Sequence, residues 1–207
     1  MNKGFLAIVV AFLVLSCGEG NIRVEVDPQI QYEKDSLKIL EFLEEKGYSE
    51  DQIGSTITGV RYVILDSGSM EKIDESDLVE FDYTGITLGD TIFDTSIKEV
   101  GDSLKAYYEE NPYVVDGDTL SVFTGTTYNP LFITYSASGW TIPTGQGGYI
   151  TGFAQGISAT FKHISVGGKA LILIPSRLAY GTAGSGVFIG PNTVITFVLE
   201  PVEVTKQ

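Results

Sequence analysis

The sequence predicts an α+β fold, an antiparallel sheet with one short helix laid across it. Three observations carry this prediction. Val79, Phe81 and Tyr83 alternate with Glu80 and Asp82, the period of two expected of a strand with one buried face. Residues 169–174 (KALILI) are apolar on both faces, as a covered central strand requires. Between such segments, residues 151–161 change period: Phe153, Ile157 and Phe161 recur at i, i+4 and i+8, one stripe of a short helix.

The N-terminus reads as a targeting segment. Lys3 precedes an apolar run over residues 4–15, too short to span a bilayer, which needs roughly 20 residues, but suited to a secretory signal core. Cys17 is the only cysteine, which excludes an intrachain disulfide. The run Val14-Leu15-Ser16-Cys17-Gly18 resembles the lipobox of bacterial lipoproteins. That resemblance implies cleavage before Cys17, acylation of Cys17, and an extracytoplasmic chain held to an envelope membrane through that anchor.

Residues 17–59 read as a tether followed by an N-terminal helix. Residues 18–29 are polar and aperiodic. Residues 30–46 are helical in pattern, with Leu37, Leu40 and Leu43 as the apolar stripe, Gly47 as the stop, and Glu33, Lys34, Lys38, Glu41 and Glu45 as a solvated face.

From residue 60 onward the pattern is that of a sheet domain, 60–207. Strand candidates are residues 61–65, 78–84, 91–94, 131–135, 169–174 and 194–204, the last with Ile195, Phe197 and Leu199 on one face. Gly167-Gly168 breaks the chain before the central strand.

Composition excludes several functions. With a formal charge of −14 the chain repels phosphate backbones, so a nucleic-acid partner is not expected. The single histidine, His163, has no second histidine or cysteine near it, and no metal site is expected. It also leaves no Ser-His-Asp arrangement to argue. Asp116-Gly117-Asp118 lacks the remaining acids of a calcium loop and reads as a turn. Residues 145–148 (GQGG) lack the Lys-Ser/Thr of a phosphate loop and read as a hinge. No cofactor is expected.

Three blocks, in order, remain: FDYTG with FDTS, then YITGFAQGI, then AYGTAGSGVFIGPNTVITFVLE. Together they resemble the FKBP-type peptidyl-prolyl cis–trans isomerases. The resemblance implies a half-barrel antiparallel sheet wrapped around one short helix, here with an added N-terminal helix and a long insertion at about residues 97–148. It implies roles residue by residue. Tyr83, Asp94 and Tyr180 match the polar groups of the pocket. Phe93 and Phe197 match aromatic walls, and Phe153 stands where most members have a Trp. Ile150 matches the residue whose backbone N–H holds a substrate carbonyl. Phe188 and Ile189 fall on the flap, residues 181–191. The remaining aromatic, on the strand before the helix, is either Leu131 or Phe132; Phe132 is taken as the wall. Asp94 also reads as a turn cap in FDTS, and the two roles are compatible.

The function expected from the resemblance is peptidyl-prolyl isomerisation in exported or envelope proteins, with proline-containing polypeptides as clients and a pocket that takes macrolide-type inhibitors. The alternative is a non-catalytic binding or chaperone module on the same anchor. The insertion is rich in aromatic residues, among them Tyr107, Tyr108, Tyr113, Phe123, Tyr128, Tyr135 and Trp140. It reads either as a decorated loop with its own small apolar cluster or as a surface that grips unfolded chains.

Overall fold

The computed structural model describes residues 27–123, 128–138 and 150–207. The expected leader, Cys17, most of the tether and the 145–148 hinge lie outside the described residues.

Among the described residues the chain opens with helix α1, Pro28–Glu45. Asp27 caps it by accepting the Gln29 N–H, and Pro28 occupies the first turn, where its missing N–H costs nothing. Its inward face differs from the expected one. Asp35, Ile39 and Leu43 are buried, whereas Leu37 and Leu40 are 60% and 43% exposed. Steps of three drift around a 3.6-residue helix faster than steps of four, so only Leu43 belongs to both stripes.

Seven strands form one antiparallel sheet. β1 (Ile53–Ser55), β2 (Arg61–Asp66), β8 (Lys169–Ile174), β9 (Ile195–Thr205) and β3 (Leu78–Thr87) pair in that order. The far edge of β3 is shared end to end by β4 (Ile92–Thr95) and β7 (Leu131–Thr134). β1 pairs with β2, so the sheet begins inside the segment expected to be tether and helix alone.

Helix α3, Thr151–Thr160, lies on one face of the sheet against β2 and β8. The approach is close because Gly156 has no side chain: a Cβ there would sit 2.4 Å from Ile172 Cδ1. α1 covers the opposite face. β8 therefore gives Ala170, Ile172 and Ile174 to the core under α3, and Leu171 and Leu173 to a second cluster with Ile39, Leu43 and Val194. This double burial is the physical reason for its unbroken apolar run.

The stretch between β4 and β7 is a structured excursion. It holds helix α2 (Lys98–Glu110) and the hairpin β5 (Tyr113–Val115) and β6 (Asp118–Leu120). Asp116 and Gly117 turn that hairpin with φ of 52° and 90°, the left-handed pair that a two-residue hairpin loop demands. This is the turn expected from Asp-Gly-Asp. β7, inside the range expected as one insertion, belongs to the main sheet.

Candidate functional site

The site is built where β3, β4, β7, β9, the start of α3 and the turn after β8 meet. Tyr83, Asp94, Leu131, Ile150, Phe153, Tyr180 and Phe197 line one hollow of about 210 Å³. Six of these are residues singled out from the sequence. Phe93 stands behind them: its ring meets Phe197 edge-on at 5.5 Å and faces the adjoining hollow.

The aromatic frame is mutually supporting. Phe153 and Phe197 lie 4.7 Å apart at 64°, and Tyr83 meets Phe153 at 5.9 Å and Phe197 at 6.0 Å, all edge-to-face. Such contacts add about 0.5–1.5 kcal/mol each beyond area burial and hold the rings in one orientation. Gly85, the last residue of FDYTG, makes room for them: a Cβ there would lie 2.6 Å from Phe93 and 2.8 Å from Phe197.

Two polar groups face each other inside this frame. Tyr83 Oη donates to Asp94 Oδ2 at 3.2 Å. Burial raises the Asp94 pKa above the ordinary aspartate value, against the lowering effect of Tyr83 and of the Thr95 N–H. Burial, and then the charge of Asp94, raise the Tyr180 pKa, so that hydroxyl keeps its proton and remains a donor. Ile150 is the N-cap of α3 and supplies no side-chain cap, which leaves that helix start facing the hollow with its backbone dipoles.

Tyr180 is fixed from behind. It follows a single 3₁₀ turn, Ser176–Leu178, closed by Gly181 N–H to Ser176 O at 2.8 Å. The wholly buried Asp35 carboxylate accepts from Ser176 N at 2.8 Å, Ser176 Oγ at 2.6 Å and Gln31 Nε2 at 2.7 Å. Arg177 stacks over the Tyr32 ring at 4.5 Å. Thus α1, remote in sequence, clamps the turn that presents Tyr180. Sequence reading missed this because Asp35 was one acid among many on a helix; its fourfold spacing with Ile39 and Leu43 was the available signal.

Phe132 is not a wall of the hollow. β3 pairs Phe81 with Leu131 and Glu80 with Phe132. Phe81 faces the core, so alternation points Leu131 and Ile133 inward and Phe132 to the other side. The choice between the two required the register, which the sequence does not display. The wall at this position is aliphatic.

Phe188 and Ile189 sit on the flap, which is closed by reciprocal bonds between Ser185 and Ile189 at 2.7 and 3.2 Å. Ile189 is buried in the core. Phe188 packs with Tyr108 at 5.7 Å, Tyr113 at 5.1 Å and Phe123 at 5.9 Å. Three aromatic residues of the excursion therefore cluster on the flap. His163 stacks on Tyr62 at 6.2 Å, outside the site.

Residues 110–201 match the family model described as FKBP-type peptidyl-prolyl cis-trans isomerase. Over that stretch, a little under half of its length, the chain is similar to the FKBP-type family. A probable FKBP-type peptidyl-prolyl cis-trans isomerase FkpA of Neisseria meningitidis serogroup B is 26% identical over 163 residues, 79% of this chain and 44% of that protein. FK506-binding protein 2 of Candida glabrata is 39% identical over 63 residues, 30% of this chain and 43% of that protein. The chain thus spans less than half the length of these FKBP relatives. A peptidyl-prolyl isomerase of Pseudomonas syringae pv. tomato superposes with a TM-score of 0.49 at 17% identity, over 88% of this chain and 98% of that one. The family match begins after β4, so the half of the hollow carrying Tyr83, Phe93 and Asp94 lies outside the matched residues and is tied to them by strand pairing.

Proposed function

We propose that this chain accelerates cis–trans rotation about X–Pro bonds. One observation carries the reading: side chains from six separate segments line a single hollow, walled by aromatic and aliphatic groups, that holds one carboxylate and two tyrosine hydroxyls. Rotation about an X–Pro bond is opposed by a barrier of roughly 18–20 kcal/mol, because the twisted state loses amide resonance. A thousandfold acceleration needs only about 4 kcal/mol of that.

The residues divide the work. Phe153, Phe197, Leu131 and Tyr83 take the prolyl ring, and its burial supplies binding energy. The twisted amide is less dipolar than the planar one, so a dry apolar wall favours it relative to the ground state. The Tyr180 hydroxyl and the Ile150 N–H hold flanking carbonyls while the bond turns. Asp94, held by Tyr83, faces the rotating imide. No proton changes hands, and no general base is needed.

The experiment is a protease-coupled assay on a short Ala-Pro-Phe-type peptide. A rate above the uncatalysed relaxation supports the reading. No rate, with the domain folded, leaves the alternative of a pocket used only for docking. The clients proposed are proline-containing segments of exported or envelope proteins, with the chain anchored through Cys17. The apolar leader and the lipobox-like run support this placement. Cys17→Ser should release the protein from membrane fractions, and an unchanged distribution would count against the anchor. Macrolide-type inhibitors should compete for the same hollow, as judged by displacement of peptide.

A further inference from the structure

The hollow at Tyr83 and Phe197 does not end at Tyr180. A second space of about 190 Å³ shares Asp94 and Tyr180 with it and runs along the flap past Ser185 and Phe188. A third, of about 380 Å³, shares Phe93, Asp94 and Phe188 with the second and is bounded on its far side by Leu120, Phe123 and Tyr128 of the excursion. The three adjoin one another through shared lining residues, and Asp94 lines all of them.

The outer wall is held in place. Tyr108 stacks on Phe123 at 6.0 Å, both pack on Phe188, and Tyr113 Oη donates to Val187 O at 3.3 Å. The Tyr128 ring lies directly over Gly101 of α2, where a Cβ would come within 2.1 Å of it. Flap and excursion therefore form one wall. That wall and Phe93 are mainly apolar, no basic side chain lines the third space among the described residues, and Asp94 is one of its lining residues.

We propose that this third space is an extended substrate subsite for a large apolar side chain, aromatic by preference, in a client residue beyond the X–Pro pair. The inference rests on the isomerase reading for the chain that would occupy it. Adjacency to the prolyl hollow, through Asp94 and the flap, sets the occupant: a polypeptide held there by its proline runs on along the flap, and its next bulky side chain meets Phe93, Phe123 and Phe188. Asp94 and the overall charge of −14 disfavour an acidic residue at that place. The excursion then selects clients by what surrounds their prolines.

The test compares prolyl peptides on the full chain. One is a short tetrapeptide. The others are longer, with Phe, Ser or Glu placed two to four residues from the proline on either side. The ratio of kcat/KM between the Phe and Ser peptides is expected near tenfold in one placement, carried by KM, with Glu below Ser. In a Leu120→Ser/Phe123→Ser variant that ratio should fall to about one; any general loss of activity cancels in the ratio. A Phe/Ser ratio near one in the wild type, with the tetrapeptide turned over normally, overturns the subsite and leaves the isomerase intact. A ratio that survives the double substitution overturns it too. If no peptide is turned over, the isomerase reading fails instead, and the Phe/Ser ratio of Kd from titration of the same peptides decides the subsite by the same criterion.

Discussion

Tyr83 and Asp94 come from different strands, and the hydroxyl of the first donates to the carboxylate of the second across 3.2 Å. β3 and β4 pair with Gly85 opposite Asp94, so the two side chains meet over a residue that has none. The bond both orients the carboxylate and favours its charged form. Tyr83→Phe should remove it without emptying the frame. The expected loss in kcat/KM is about fivefold, the value of roughly 1 kcal/mol, with the apparent pKa of Asp94 shifted further upward in a pH–rate profile. An unchanged profile would show that the bond does not tune the site.

Asp94 itself should cost stability. Its pKa is raised in the fold by burial, so the native chain holds that proton more tightly than the unfolded chain does. The penalty is absent below the ordinary aspartate range, grows as pH rises through it towards the folded value, and is constant above. Asp94→Asn should therefore melt higher than wild type at neutral pH, and the difference should vanish in acid. Activity should fall in the same variant. Thermal melts across pH read the first effect and peptide turnover the second. A variant less stable at neutral pH would contradict the sign.

Much of the site was legible because it is written in strand alternation and short motifs. Val79, Phe81 and Tyr83 declare their shared face, and AYG through ITFVLE keeps Tyr180 and Phe197 in recognisable context. Phe132 was misassigned because facing depends on register; the strand itself was read, at 131–135, but not which of its faces meets β3's core side. α2 was unread although Val100, Leu104 and Tyr108 recur at steps of four; that stripe is short, and Gly101 is the one residue of the helix that is buried. The role of α1 was half legible: the helix is plain in the sequence, but the partner of Asp35 lies 141 residues away.

Gly85 offers a test of the aromatic frame. Gly85→Ala would drive a methyl into the Phe93 and Phe197 rings, which must then turn or move. Overpacking of this kind costs about 1–3 kcal/mol. The expected outcome is a folded protein with turnover reduced more than tenfold. Urea unfolding and peptide turnover together separate this from global collapse, and full activity would show that the rings need not hold their present angles.

The clamp from α1 is testable through Asp35. Asp35→Ala leaves the Ser176 N–H and hydroxyl buried without their acceptor, an expected cost of about 2–4 kcal/mol by denaturant titration. Turnover should fall as well, because Tyr180 rides on that turn. A loss below about 0.5 kcal/mol would mean the helix is an appendage.

The most direct measurement is magnetisation-exchange NMR on a short X–Pro peptide, with wild type and Phe197→Ala compared at equal concentration. The account predicts cis–trans exchange at least a hundredfold faster than for the peptide alone in the presence of wild type, and at least tenfold less of that gain with the variant. Exchange no faster than for the free peptide, or acceleration indifferent to the loss of Phe197, would contradict it.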